Sequence, residues 1–346
     1  MTGSEQRTDT DRATDAPQQS GAQHRGSPSR DSIVPEADFD SYYGRPIVKP
    51  APWEHDIAYY MFTGGVAAGS AILGAGADLT DRPGLRRTSR LGSAVALVLS
   101  MFFLIKDLGK PSRFLNMLRV AKPTSPMSVG TWLLSLHGPF SALASAAEVA
   151  GLLPSRWQRG PIGLALRLGR PAGIAAAVTA PPVAAYTAVL LSDTATPAWH
   201  SAHEELPFVF CGSAAAASGG LGLIGAPSGE SGPARAFAVG GAVVDLVAEH
   251  RMEQSMGLSA ETLHQGSAGR WMQASKALTM LGATGALLGR RSRAVSMASG
   301  AALMAGSLCT RIGVFEAGIA SANDPKYVVV PQRERVARGE AVRHTG

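Results

Sequence analysis

Ionisable side chains inside otherwise apolar stretches are where this sequence could do chemistry. Asp245, Arg311 and Glu316 each interrupt a run of aliphatic and small residues. A charge in hydrocarbon is costly, so such groups pair with one another, line water or carry protons. Arg311 demands an anion, and Asp245 or Glu316 could supply it; a buried ion pair and a proton route both fit. A second set is aromatic. Tyr60, Trp132 and Tyr186 lie in three different apolar segments, at a similar depth from one end. That depth is about six residues, roughly 9 Å at the helical rise. Two readings stand for them: an interfacial aromatic belt, or the walls of a site for a planar amphipathic ring. Upstream of Tyr186, Pro181-Pro182 removes two helix donors and frees carbonyls near Ala177 and Val178. The pair is expected either to kink the helix for packing or to open a pocket beside Tyr186.

Other chemistries are disfavoured. A membrane haem b needs two axial histidines from facing helices, and only His137 lies well inside an apolar segment. His200-x-x-His203-Glu204 matches no standard metal-ligand spacing and is read as a polar loop. The two cysteines, Cys211 and Cys309, are too few for an iron–sulfur cluster. No haem, cluster or metal is therefore expected in this chain. The net charge of +6 comes from Lys and Arg placed between apolar segments, as headgroup-facing loops would place them. No basic helix with interleaved aromatics appears, so nucleic acid is not an expected partner.

The elements that must position these residues are membrane helices. Within 346 residues, charge-poor apolar stretches recur from Ile57 to Ile319, a pattern that a soluble core helix, which needs a polar face, does not repeat. Eight spans are predicted, over 57–79, 89–106, 127–150, 172–192, 206–226, 234–249, 274–289 and 294–319. The second, sixth and seventh are short, which leaves seven as an alternative count. Gly65-Val-Ala-Ala-Gly69 and the Ala/Gly/Ser run 212–220 predict close backbone packing. The fold class is thus an all-α integral membrane protein, an eight-span helical bundle over 57–319 in a cell membrane. Residues 1–40 are polar and expected to be disordered, 41–56 form an interfacial lead-in, and 320–346 a basic tail.

Eight spans put both termini on one side, side A, with the loops at 107–126, 193–205 and 250–273. Side-B loops hold twelve arginines, Arg86 and Arg90 among them, against eight Lys and Arg in side-A loops. That bias leans side B to the cytoplasm; adding the terminal flanks reverses the count to 12 against 13. The long side-A loop carries Lys110, Arg113, Asn116, Arg119 and Lys122, which suit either headgroup contact or the docking of a protein partner.

Two long strings resemble a known family. WEHDIAYYMFTGGVAAGSAILGAGADL at 53–79 and KDLGKPSRFLNMLRVAKPTSPMSVGTW at 106–132 are similar to the corresponding segments of the NrfD/PsrC family. The likeness extends to YTAVLLSDTATPAWHSAHEELPF at 186–208 and RIGVFEAG at 311–318, and covers about 41–330. It implies a quinone-reactive membrane subunit of a molybdopterin oxidoreductase complex, such as polysulfide reductase, with eight spans and no redox cofactor of its own. A ferredoxin-like iron–sulfur subunit would dock on it and pass electrons between a molybdopterin subunit and exchangeable menaquinone.

The family's quinone pocket uses a tyrosine on the fourth span, which Tyr186 matches. It also uses a polar pair at the start of the first span, one member a histidine. Alignment through Trp53, Gly65 and Gly69 puts Tyr60 at the histidine position and Ile57 near its companion. Ile57 cannot donate a hydrogen bond, so Asp56 or His55 would have to substitute. The resemblance thus implies quinone binding by Tyr186 and Tyr60 with Asp56 as substitute; Trp132 joins them by its depth, and Asp245, Arg311 and Glu316 stand as proton route or buried ion pair. The long basic loop with Lys110, Arg113, Asn116, Arg119 and Lys122 is the expected docking platform for that iron–sulfur subunit. A secondary transporter and a purely structural anchor are the competing functions. The first needs inverted repeats, and none is clear in the sequence.

Overall fold

The computed structural model describes residues 46–110 and 112–339. The polar segment 1–40, the start of the lead-in and the last seven residues lie outside the described residues.

Every regular element described is helical: α1 His55–Leu79, α2 Pro83–Asp107, α3 Arg113–Met117, α4 Pro126–Ala150, α5 Pro161–Ser192, α6 Pro197–Ser201, α7 Leu206–Gly225, α8 Gly232–Ser255, α9 Gly266–Leu288, α10 Arg293–Asn323 and α11 Lys326–Ala337. Proline opens many of them, at Pro83, Pro126, Pro161, Pro197, Pro207 and Pro233. At the first helical turn the missing N–H is one that no carbonyl would have accepted. α10 starts instead on a cap, the Ser292 hydroxyl accepting from the Val295 amide.

Eight of these helices are 20 residues or longer. Five of them, α1, α2, α5, α7 and α10, are long and apolar enough to cross a membrane. α4, α8 and α9 coincide with the third, sixth and seventh expected spans but fall short on composition. The polar residues responsible point inward: Thr131, His137, Ser141, Ser145 and Glu148 of α4, Asp245 and Glu249 of α8, and Ser275 of α9 are all buried. Their opposite faces expose Leu136, Val243, Val244, Val247, Met280 and Leu281. The second segment, expected to be short, is a full 25-residue helix, because Pro83 starts it six residues earlier. α5 likewise begins eleven residues before its apolar stretch, at Pro161.

Consecutive long helices pack as hairpins, α1 with α2, α4 with α5, α7 with α8 and α9 with α10. α1 also packs on α5, and α7 on α10, giving two four-helix groups that meet through α1, α5, α7 and α10. Small residues set the spacing. A Cβ on Gly69 of α1 would stand 2.4 Å from Ser218 Oγ and 2.9 Å from the Ala214 carbonyl of α7. One on Gly220 of α7 would stand 2.6 Å from the Gly300 carbonyl of α10. Van der Waals contact over such short separations is what holds helices together where lipid removes the hydrophobic drive between them.

Two expectations are corrected. α5 runs unbroken through Pro171, Pro181 and Pro182. Pro181 and Pro182 are exposed on its outer face, so they open no space beside Tyr186. Arg86 and Arg90, expected as headgroup-facing loop charges, lie within α2. Arg90 donates to Asp78 of α1 at 3.0 Å and to Glu148 of α4 at 2.9 Å. Arg86 spans the same two carboxylates at 3.1 and 2.7 Å. Asp78 and Glu148 are thus buried members of a four-residue network at the side-B end of the first group. Gly173 of α5 makes room for it, since a Cβ there would lie 2.6 Å from an Arg90 guanidinium nitrogen.

Candidate functional site

A narrow cavity of about 70 Å³ opens near the side-A end of the first group. α1 contributes Ile57, Tyr60 and Met61, α2 Leu104 and Asp107, α4 Met127, Thr131 and Leu134, and α5 Tyr186, Thr187, Leu190 and Leu191. Trp53 from the lead-in, Leu108 just after α2 and Met117 from α3 complete the walls. Tyr60 stands five residues inside α1 and Tyr186 six residues from the end of α5. Two helices running in opposite directions therefore bring both rings to one depth. The lining is chiefly apolar with a few polar groups, the usual make-up of a small-molecule site.

The Tyr186 hydroxyl is buried and has no hydrogen-bond partner among the described residues. Buried hydroxyls are normally satisfied, so an orphan one on a residue that lines a cavity marks a place for an acceptor. Gly130 of α4 lets the ring reach this position: a Cβ there would come within 2.3 Å of Tyr186 Cε2. Sequence reasoning passed over Gly130 and Asp107. Gly130 carried no local signal; Asp107 stood at an apparent span end and resembled an interfacial charge.

The remaining expected site residues are placed differently. Trp132 does not line the cavity; it is 46% exposed, and its indole donates to the Val120 carbonyl at 3.2 Å. One residue from Thr131 along α4 turns the side chain about 100° from the cavity. Asp56 is buried against the Lys106 ammonium at 2.9 Å and does not line the cavity either. His55 bonds Glu316 at 3.1 Å across a separate polar hollow, lined also by Glu54, Asp56 and Lys106.

Arg311 lies in the second group and is fully buried. It does not pair directly with Asp245 or Glu316. One guanidinium nitrogen donates to the Phe210 carbonyl at 2.8 Å, and the group stacks 3.7 Å from the Phe210 ring centroid. Glu316 is turned to His55, and Asp245 remains within Coulombic range of Arg311 without contact. Asp245 Oδ1, both Glu249 oxygens and two Arg311 nitrogens have no hydrogen-bond partner among the described residues. Asp245, Glu249 and Glu253 recur every four residues, so one face of α8 carries acids from the interior toward side A. Lys276 of α9 closes that row, 3.8 Å from Glu249 and in contact with Glu253. Glu249 and Glu253 were not anticipated, because they fall at and beyond the apparent end of the sixth span.

A family model described as polysulphide reductase, NrfD, matches residues 47–225, a little over half of the chain. The chain belongs to the NrfD family. A search of curated proteins finds no match to it. The segment matched in this NrfD protein runs from the lead-in through α7 and contains every residue that lines the Tyr60–Tyr186 cavity. Asp245, Glu249 and Arg311 lie beyond it. Its side-A loop presents Lys110, Arg113, Asn116, Arg119 and Lys122 as exposed residues in and around α3, beside the cavity wall formed by Met117.

Proposed function

We propose that this NrfD protein is the quinone-reactive membrane subunit of a multisubunit oxidoreductase. It exchanges electrons between menaquinone and a partner iron–sulfur subunit that serves a molybdopterin catalytic subunit. The observation that carries this reading is the unpartnered Tyr186 hydroxyl in a chiefly apolar cavity shared with Tyr60. A quinone presents carbonyl acceptors on a flat apolar ring, and this lining matches that chemistry. All eight long helices span the membrane on this reading, the inward polar faces of α4, α8 and α9 accounting for their lower apolarity. The cavity then lies just below the side-A surface. A cluster carried by a partner on the basic α3 loop would face it there, while an isoprenoid tail leaves toward lipid.

Tyr186 donates to a quinone carbonyl and Tyr60 closes the ring site opposite. Asp245, Glu249 and Arg311 form a separate buried polar row suited to moving protons in the second group. In membranes carrying the whole complex, Tyr186→Phe keeps the ring and deletes the donor. Losing one such hydrogen bond costs about 0.5–1.5 kcal/mol, more where the carbonyl is left bare. Quinone-linked turnover is expected to fall several-fold while turnover with an artificial electron dye persists. Equal quinone-linked turnover in the variant and the parent would place the quinone elsewhere.

A further inference from the structure

Asp107 supplies the one carboxylate that lines the Tyr60–Tyr186 cavity among the described residues. It is the last residue of α2 and half-buried, and its Oδ1 accepts from the Glu54 amide at 3.3 Å. Glu54 belongs to the polar hollow on the side-A surface, together with His55, Asp56, Lys106 and Glu316. Trp53 borders both the hollow and the cavity. Asp107 therefore lines the cavity on one side and, through its hydrogen bond from the Glu54 amide, adjoins the wall of the polar hollow on the other. Its charged neighbours are Glu54 and Asp56 from the start of the first group and Lys106 from α2, the last already engaged by Asp56. α1 and α5 bring only the hydroxyls of Tyr60, Tyr186 and Thr187, and α4 that of Thr131.

We propose that Asp107 is the proton-exchange carboxylate of the cavity, refilled from side A through the hollow lined by Glu54, His55, Asp56, Lys106 and Glu316. This rests on the quinone reading above. Reduction of a quinone to its quinol takes two electrons, supplied by the partner's iron–sulfur cluster, and two protons. Electron arrival makes the ring oxygens basic. Asp107 gives its proton to one oxygen, regains a proton from water in the hollow, and gives that to the other; quinol oxidation runs the same transfers backwards. The tyrosines are poor substitutes, because a phenol with an ordinary pKa near 10 holds its proton too tightly to exchange it each turnover. A carboxylate beside the ring can both take up and give up a proton each turnover, and positioned acids and bases typically contribute about 10²–10⁴-fold.

The test uses the whole complex in membranes, with Asp107→Asn and Asp107→Glu. Asparagine keeps the acceptor for the Glu54 amide and the side-chain volume, so the local fold is retained. Binding of a short-chain naphthoquinone is followed by tryptophan quenching, and quinone-linked turnover is measured from pH 5 to 9. The Asn variant is expected to bind the naphthoquinone within about twofold of the parent and to lose about tenfold or more of its turnover. The Glu variant should recover much of that turnover with a displaced pH profile. Naphthoquinone binding by the Asn variant with undiminished turnover and an unchanged profile overturns the role of Asp107 and leaves the quinone site standing. Failure of the parent itself to bind overturns the quinone reading, and this proposal with it.

Discussion

At the scale of single residues, the site depends on a side chain that is missing. Gly130 has no Cβ, and the Tyr186 ring occupies the space one would fill. Gly130→Ala should therefore swing Tyr186 away from its place and lower quinone-linked turnover at least as far as Tyr186→Phe does. Gly138→Ala on the same helix is the control, since its Cβ would meet only Leu97 at 3.8 Å, an ordinary contact. Alanine is the better helix former at both positions by roughly 0.5–1 kcal/mol. Equal turnover in the two variants would show that the ring position is not decisive. The shared depth of Tyr60 and Tyr186 was legible in the sequence, because depth along a helix is arithmetic on the chain. Gly130 was not legible, because its meaning depends on a ring 56 residues away. Trp132 misled for the complementary reason: depth fixes how far along a helix a residue lies, but not which way it faces.

At the scale of elements, the prolines and the side-B charges show how local signals yield to packing. Pro181 and Pro182 suggested a break, yet α5 stays helical between α1 and α4 and turns both rings outward. Arg86 and Arg90 resembled loop charges because they follow closely on the Asp81-Arg82-Pro83 turn. Their partners come from α1 and α4, which no sequence window joins. Removing one partner from such a buried network typically costs about 3–5 kcal/mol, because the remaining charges are left unpaired. Arg90→Met should accordingly lower the thermal midpoint of the purified chain in detergent, whereas Arg170→Met should not. Arg170 is 66% exposed at its side chain and reaches Asp78 only at 3.8 Å. A midpoint unchanged in Arg90→Met would mean that Arg86 alone satisfies both carboxylates. The helix starts at Pro83 and Pro161 were missed for a simpler reason: hydropathy marks where an apolar stretch begins, whereas a helix extends past it to the nearest proline or cap.

At the scale of the molecule, two groups of four helices share an interface of small residues and a run of aromatic rings. Trp53 stacks on Trp199 at 5.9 Å, Trp199 lies 5.9 Å from Phe315, and Phe315 lies 5.9 Å from the His55 ring. The all-helical architecture and the small-residue packing were legible in the sequence, because recurrent apolar length and Gly spacing are local properties. The division into two groups was not, because it depends on contacts between helices far apart in the chain. The exposed basic loop around α3 lies on the same side as the cavity mouth. Arg113→Glu with Arg119→Glu should release an iron–sulfur partner during purification while the bundle stays folded in detergent. Undiminished co-purification would assign the loop to lipid headgroups instead.

The paired charges at the side-B end carry one further consequence. Asp78, Arg86, Arg90 and Glu148 neutralise one another where the first group would otherwise open, while its other end holds the cavity, with the polar hollow beside it. The group is then a cup rather than a channel. On the proposed chemistry, electrons and protons enter such a cup over the same rim, so quinone turnover there displaces no net charge across the membrane. Within this chain, the buried acid row of α8 in the second group is then the place to look for charge movement.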